Sequence, residues 1–148
     1  MKSFSSLINN CFLFGKFPIA PGTAGSIFAL IMWLIFVPLI GEISIFIIFL
    51  ITILSYFTIS FELGETSQKD PEHIVIDEAI GMWISLLFIS PYNFIHIGLA
   101  FSIFRLLDIL KPSVINRSQN IKGAGGVLMD DILSGLITSM IILGITII

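Results

Sequence analysis

The chain has 148 residues, of which 56% are hydrophobic and 11% charged, and its mean hydropathy of +1.06 excludes an ordinary soluble domain. Disordered chains, coiled coils and collagen-like fibres are excluded as well, because each needs a polar or strictly periodic composition. The net charge of −3, from 7 basic and 10 acidic residues, is too acidic for a nucleic-acid footprint, so we expect one membrane-embedded domain over residues 1–148 and no nucleic-acid partner.

The first segment of the chain is expected to lie at the membrane interface. Lys2, Asn9, Asn10 and Lys16 interrupt its apolar residues, which disfavours a signal peptide. Cys11 is the only cysteine, so neither an internal disulfide nor a multi-cysteine zinc site can form. We therefore expect this thiol to serve packing.

Charged residues after this segment fall in a few clusters and leave long uncharged runs between them. The runs are residues 17–41, 43–61, 79–104 and 132–148. The second run has 19 residues, and a helix over it spans roughly 28 Å at ~1.5 Å rise per residue, close to a hydrocarbon core of about 30 Å. This run therefore predicts a membrane-spanning helix.

Proline and glycine set the expected ends of the first long helix. Pro21 and Gly22 come early in the run 17–41, so its helix is expected to begin near Thr23 or Ser26. It is expected to stop near Pro38.

The third uncharged run is interrupted by Ser-Pro-Tyr-Asn at residues 90–93, a turn-forming sequence. This predicts two short antiparallel helices in place of one span. The last run, 132–148, predicts a fifth helix. The fold class that follows is all-α, a polytopic membrane helical bundle with about five membrane-embedded helices.

The basic residues favour one orientation of this bundle. If the first segment is cytoplasmic and the five helices alternate, all seven Lys and Arg residues face inward, while Glu42 and the turn at 90–93 face outward. This arrangement satisfies the positive-inside rule. It also gathers nine of the ten acidic residues on the inner face, in segments 62–78 and 108–131.

Asp77 and Glu78 lead directly into an apolar run, so we expect them in the first turn of a helix. Carboxylates are common at helix starts, and this pair can have that structural role without any other function. However, residues 74–76 are Ile, Val and Ile, so apolar residues flank the carboxylates on both sides. Acids in such a setting need a partner or a metal ion.

Two further charged motifs lie near the ends of helices. Arg105, Asp108 and Lys111 recur every three residues and form one stripe, which can bind a phosphate and a cation or can be an internal ladder of ion pairs. Asp130 and Asp131 directly precede the last run, and adjacent helical positions point ~100° apart. One can bind a metal while the other orients a ligand, or both can line an ion pathway. Ligands made only of oxygen favour Mg²⁺.

Two glycine-rich segments have alternative interpretations. The sequence Pro-Gly-Thr-Ala-Gly-Ser at 21–26 places Thr23 and Ser26 at a helix start, where free backbone N–H groups can hold an anion, but its small residues can also serve close helix packing. Lys-Gly-Ala-Gly-Gly at 122–126 is either a phosphate-contacting loop or a linker. His73, just before the acidic pair, can shuttle protons or be an ordinary loop histidine.

Four motifs thus follow one another along the chain. They are residues 21–26; Asp70 with 74–78 and 81–83; 104–105 with Asp108 and 111–112; and Asp130-Asp131 with Gly135. Together they resemble the phosphatidylglycerophosphatase A family over nearly the whole chain. The resemblance implies an all-helical, magnesium-dependent lipid phosphatase. Its implied substrate is phosphatidylglycerophosphate, which is hydrolysed to phosphatidylglycerol and inorganic phosphate at the cytoplasmic face of the bacterial inner membrane.

The resemblance also implies roles for the polar residues, although it leaves open which acid is the general base. The expected catalytic residues are Asp77, Glu78, Asp108 and Asp131. The expected ligands of Mg²⁺ are Asp77, Glu78, Asp108, Asp130 and Asp131. The expected residues that bind the substrate phosphate are Thr23, Ser26, Arg105 and Lys111.

The chain departs from the family pattern at two places. No carboxylate stands between Lys111 and Asp130, where the family tends to carry an acid, and Ser134 stands where Ala is usual. An alternative from another class is a small ion-coupled transporter or channel subunit, but such a pathway needs ionisable groups at mid-membrane depth. A purely structural membrane subunit gives no reason for acids and cations to converge on one face. The sequence does not specify an oligomeric state.

Overall fold

The computed structural model of the chain describes residues 2–41, 43–64, 71–112, 115, 118 and 121–147, so Glu42 and Asp70 lie outside it. Over these ranges it contains six α-helices, one short 3-10 helix and no strand, which confirms the all-α class. The helices are α1 (Lys2–Asn9), α2 (Pro21–Ile40), α3 (Ile43–Leu63), α4 (Ile76–Ser85), α5 (Phe94–Leu110) and α6 (Ala124–Ile147), and the 3-10 helix is Phe14–Lys16.

Three helices of the described chain, α2, α3 and α6, are long and apolar enough to cross a membrane. The α4 and α5 helices have 10 and 17 residues. At ~1.5 Å per residue α4 is only about 15 Å long, too short to cross a bilayer alone. Asn93 caps α5 by accepting a hydrogen bond from the His96 backbone N–H (3.1 Å). The five helices expected from the uncharged runs correspond to α2, α3, α4, α5 and α6.

The bounds of α2 differ from the sequence-based expectation. The helix begins at Pro21 instead of near Thr23 or Ser26, because proline at the first helical position lacks only an N–H that would have no partner there. It also continues past Pro38 to Ile40, since a proline in the last turn removes one hydrogen bond and leaves the others intact.

The α6 helix begins at Ala124, eight residues before the start predicted from the uncharged run. Gly123 precedes it with a left-handed φ of 77° and accepts the first hydrogen bond, from the Gly126 N–H (3.0 Å). Asp130 and Asp131 consequently lie about two turns inside the helix and not before it. The run of apolar residues marks only the lipid-facing part of α6, whereas its first turns are buried against other helices.

Close backbone contact between α4 and α6 positions the polar end of the bundle. The glycines Gly81 and Gly135 face each other, and a methyl group on Gly135 would overlap the Gly81 carbonyl oxygen. A methyl group on Gly81 would lie 2.7 Å from the Asp131 carbonyl oxygen. On its other side α4 contacts α2, where Trp83 Nε1 donates to the Ala29 carbonyl (2.7 Å). The first turns of α2, α4 and α6 therefore meet at one end.

A polar network fixes the segment that leads into α4. Glu62 of α3 accepts hydrogen bonds from Asn9 Nδ2 (2.5 Å) and His73 Nε2 (2.7 Å). Thr58 Oγ1 donates to Asn9 Oδ1 (2.7 Å), and the Val75 backbone N–H donates to the Asn9 carbonyl (2.8 Å). The network joins α1, α3 and the start of α4, and it places His73 against Glu62.

Candidate active site

The first turns of α2, α4 and α6 and the last turn of α5 enclose a polar cavity of about 360 Å³. Six carboxylates, one ammonium group and four small or apolar residues make up its described lining. These are Glu72, Asp77, Glu78, Asp108, Asp130 and Asp131; Lys111; and Pro21, Gly22, Ile74 and Val127. Residues from all four sequence motifs thus converge on one site.

Three acids in the polar cavity form a group that can hold a metal ion. One carboxylate oxygen each from Asp77, Glu78 and Asp131 lie within 4.8 Å of one another. Glu78 Oε2 and Asp131 Oδ1 are buried and have no hydrogen-bond partner among the described residues. Because a buried carboxylate oxygen without a partner is costly, these two atoms are suited to binding a cation.

The Glu78 carboxyl lies in an unusual environment. Burial raises its pKa to about 7; a hydrogen bond with Asp77 opposes this, the charge of Asp108 adds to it, and the charge of Arg105 lowers it. Gly22 of α2 lies directly against this carboxylate, since a methyl group at Gly22 would overlap Glu78 Oε1. Glycine at this position therefore lets the start of α2 approach the acid.

Arg105 links α5 to α2 beside the polar cavity. Its Nη1 donates to Asp108 Oδ2 (2.5 Å), one turn along the same helix, and to Ser26 Oγ (3.4 Å). Ser26 in turn donates to the Gly22 carbonyl (2.9 Å), so this hydroxyl lies behind the arginine and orients it. The buried Nε of Arg105 has no partner among the described residues and is a donor for a further acceptor. Thr23 is not part of the described cavity lining.

Lys111 brings a fixed positive charge to the polar cavity. Its Nζ donates to Asp130 Oδ2 (2.6 Å). Burial lowers the pKa of Lys111, but the hydrogen bond to Asp130 and the surrounding acids raise it overall, so the amine stays charged. Asp130 and Asp108 each contact a cationic side chain, and neither belongs to the group of three acids. Their assignment as metal ligands stays a prediction.

Several side chains have roles that sequence reasoning missed or placed differently. Glu72 lines the polar cavity, although its position in a polar turn beside Pro71 gives no signal of this. Residues 124–126 of the glycine-rich segment 122–126 form the first turn of α6, and Lys122 and Gly123 directly precede the helix. Cys11 is buried, and burial, with a smaller effect of the Glu78 charge, raises its thiol pKa to about 12, as expected of a packing residue.

The chain is similar to known proteins over most of its length. Residues 7–146 match the family model described as Phosphatidylglycerophosphatase A. A protein of Bacteroides thetaiotaomicron, named as a candidate phosphatidylinositol-3-phosphatase, is 33% identical over 143 residues, which cover 92% of this chain and 89% of that protein. Proteins named Phosphatidylglycerophosphatase A from Escherichia coli and Haemophilus influenzae are each 32% identical over 129 residues, covering 86% and 85% of this chain and 75% and 78% of theirs. No solved structure matches the chain significantly.

Proposed function

The chain belongs to the phosphatidylglycerophosphatase A family, and we propose that it hydrolyses the phosphomonoester of phosphatidylglycerophosphate to phosphatidylglycerol and inorganic phosphate. The observation that carries this proposal is the convergence of the four family-like motifs on one polar cavity at the end of a membrane bundle. A phosphorylated lipid headgroup has the chemistry that such a site accommodates.

The charge of the polar cavity supports a role for Mg²⁺. Six carboxylates and one ammonium group belong to its described lining, whereas a phosphomonoester itself carries a charge of about −1.5 to −2. Repulsion disfavours such a substrate unless further cations enter with it. Asp77, Glu78 and Asp131 fit this need, because all their donors are oxygens and two of the oxygens are buried without partners in the described chain. When bound, Mg²⁺ supplies a Lewis acid and a polarised water.

The chain's own cations complete the binding of phosphate. Arg105 is held in position by Asp108 and Ser26, and its free Nε N–H can donate to a phosphate oxygen. Lys111 lies on the cavity wall, where its charge offsets that of the substrate. The start of α2 adds the backbone N–H of Gly22 and the positive end of a helix dipole.

We place the enzyme in the bacterial inner membrane with the polar cavity on the cytoplasmic face. Three helices of the described chain are able to cross a membrane, and the one-sided distribution of Lys and Arg along the sequence supports this location. The alternative of an ion-coupled transporter or channel subunit has no support from the structure or the comparisons. In the described chain the acids of the cavity lie at one end of the bundle, whereas a transport pathway needs them along its depth.

Phosphate release from phosphatidylglycerophosphate, measured with Mg²⁺ and with excess chelator, tests the proposal. We expect activity only with the metal. Asp77→Asn, Asp108→Asn and Asp131→Asn should each abolish it while the protein stays helical in detergent, because amides are poor ligands for divalent cations. Glu72→Gln should have a smaller effect, because Glu72 lies on the same cavity but is exposed.

Two results would contradict this assignment. Activity retained in all three Asn variants would exclude the acidic group as the metal site. The name of the Bacteroides relative indicates phosphatidylinositol-3-phosphate as a substrate. If this lipid were hydrolysed faster than phosphatidylglycerophosphate, the proposed substrate would be wrong, although the proposed site would still stand.

A further inference from the structure

A second cavity, of about 430 Å³, lies between α2 and α3, and no charged side chain is present in its described lining. It follows α2 from Phe28 to Ile40 and α3 from Ser44 to Leu54, and we call it the apolar groove. Ser44 supplies the only hydroxyl group of the described lining. None of the chemistry assigned to the polar cavity uses this space.

The dimensions of the apolar groove match a single hydrocarbon chain. The twelve-residue step from Phe28 to Ile40 corresponds to about 18 Å along α2 at ~1.5 Å per residue. One leaflet of a hydrocarbon core about 30 Å thick measures roughly 15 Å. A long, uncharged slot of this size fits an extended acyl chain better than a compact polar ligand.

The apolar groove begins next to the polar cavity. Ile76 lines the groove and Asp77 lines the cavity, so the first turn of α4 borders both. On α2, Gly22 lines the cavity, and Phe28, six residues or about 9 Å further along the helix, lies at the start of the groove. In a phospholipid with a terminal phosphomonoester, a glycerol-based headgroup separates the phosphate from the acyl chains in the same order.

The groove is also accessible from the bilayer. Phe12 and Phe36 line it with 62% and 50% of their surface exposed, while Trp33 forms an inner wall at 4%. A chain can therefore enter sideways without crossing the polar cavity. Because lipid tails are as apolar as the groove, entry gains little affinity over the bilayer, and its main effect is to orient the substrate.

We propose that the apolar groove binds one acyl chain of the phospholipid substrate and thereby aligns its phosphomonoester with the polar cavity. This inference rests on the proposed lipid phosphatase function. It predicts that the length of the acyl chain matters to catalysis although no acyl atom reacts.

Intrinsic fluorescence tests the binding directly, since Trp33 and Trp83 are the two tryptophans of the chain and both line the groove. The wild-type protein in detergent is mixed with phosphatidylglycerophosphate that carries bromine, a contact quencher, midway along one acyl chain. The comparison is phosphatidylcholine with the same brominated chain. We expect stronger quenching by the substrate at equal mole fraction. Equal quenching would mean that the groove holds any bilayer lipid, and no quenching would mean that another occupant, such as a second copy, fills it; either result overturns the proposal.

Activity tests the alignment. Ile47→Phe with Ile51→Phe places two larger side chains inside the groove, and Ile45→Phe with Ile53→Phe is the matched control on the exposed face of the same helix. For dioleoyl phosphatidylglycerophosphate we expect kcat/KM of the filled variant to fall by about tenfold or more, since orientation contributes to the rate. For the dihexanoyl substrate, and for the control on both substrates, we expect no change.

The outcomes separate the two proposals. A filled variant that equals its control on the dioleoyl substrate overturns the groove while leaving the phosphatase function intact. A wild-type protein that hydrolyses neither substrate overturns the phosphatase function instead. If the filled variant does not fold, the quenching contrast in the wild-type protein decides alone.

Discussion

At the scale of single residues, Arg105 shows how one side chain can have a structural and a catalytic interpretation. Its Nη1 donates hydrogen bonds to both Asp108 and Ser26, and its Nε has no partner among the described residues. Lysine carries the same charge on a single mobile nitrogen, and it has no second donor group at the position of the Arg105 Nε. For Arg105→Lys we expect turnover to fall by about tenfold or more.

The stability of Arg105→Lys provides the second half of this test. Lysine keeps a positive charge next to the nearly buried Asp108, so the carboxylate is not left unpaired and the melting temperature should change little. Turnover and thermal unfolding are measured on the same preparation. Unchanged turnover with a lowered melting temperature would return Arg105 to a purely structural role.

Gly22 is important because it has no side chain, which leaves space for the Glu78 carboxylate. A methyl group there would overlap Glu78 Oε1, although alanine is otherwise the better helix former. Gly22→Ala should therefore displace the carboxylate and lower phosphate release by about tenfold or more, since small misplacements of catalytic groups are costly. Gly98→Ala on α5, where nothing lies within 4 Å, is the control and should keep full activity. Equal activities of the two variants would contradict the close approach.

At the scale of elements, the crossing of α4 and α6 sets the spacing of the acidic group. Gly135 contacts the Gly81 carbonyl, and this backbone atom cannot rotate away from an added methyl group. Gly135→Ala should push the helices apart, at a cost of about 1–3 kcal/mol, and lower both the melting temperature and the activity. Gly144 lies on the same helix with open space around it, so Gly144→Ala should keep the activity and should keep or slightly raise the melting temperature. Thermal unfolding and phosphate release of the pair decide the point, and a melting temperature for Gly135→Ala equal to that of Gly144→Ala would argue against a close-packed crossing.

At the scale of the whole molecule, the distribution of charge predicts helices better than it predicts their ends. The run 43–61 is found as Ile43–Leu63, because charged residues bound a span that lipid surrounds. The uncharged run predicts a start of α6 at residue 132, which is wrong because the first turns of α6 face protein, where Asp130 and Asp131 are buried against other helices. Apolar periodicity carries no information about a helix end that is polar and buried.

Contacts between distant segments mark the limit of sequence reasoning at the site. The convergence of Asp77, Asp108 and Asp131 follows from helices that alternate in direction, and the sequence predicts it. The bond between Asn9 and Glu62 joins residues 53 positions apart and leaves no local pattern. The same holds for the apolar groove, since its lining is indistinguishable in sequence from lipid-facing positions of α2 and α3.

Orientation in the membrane is the property of the whole molecule on which the proposed location depends. The one-sided distribution of Lys and Arg predicts that the polar cavity faces the cytoplasm and that the turn at 90–93 faces outward. Ser118 would be an obvious labelling site from sequence, but it is buried, whereas Lys122 is exposed. Tyr92 in the opposite turn is 77% exposed. We therefore choose Lys122→Cys and Tyr92→Cys as a matched pair.

Each cysteine is introduced into a Cys11→Ala background, although Cys11 itself competes little for reagent because burial raises its thiol pKa to about 12 and keeps it protonated at neutral pH. In intact cells an impermeant maleimide should label Tyr92→Cys and spare Lys122→Cys. Permeabilised cells should label both, which shows that protection reflects the membrane and not the fold. The reverse pattern in intact cells would place six carboxylates and their substrate site on the outer face, against both the positive-inside rule and the proposed location.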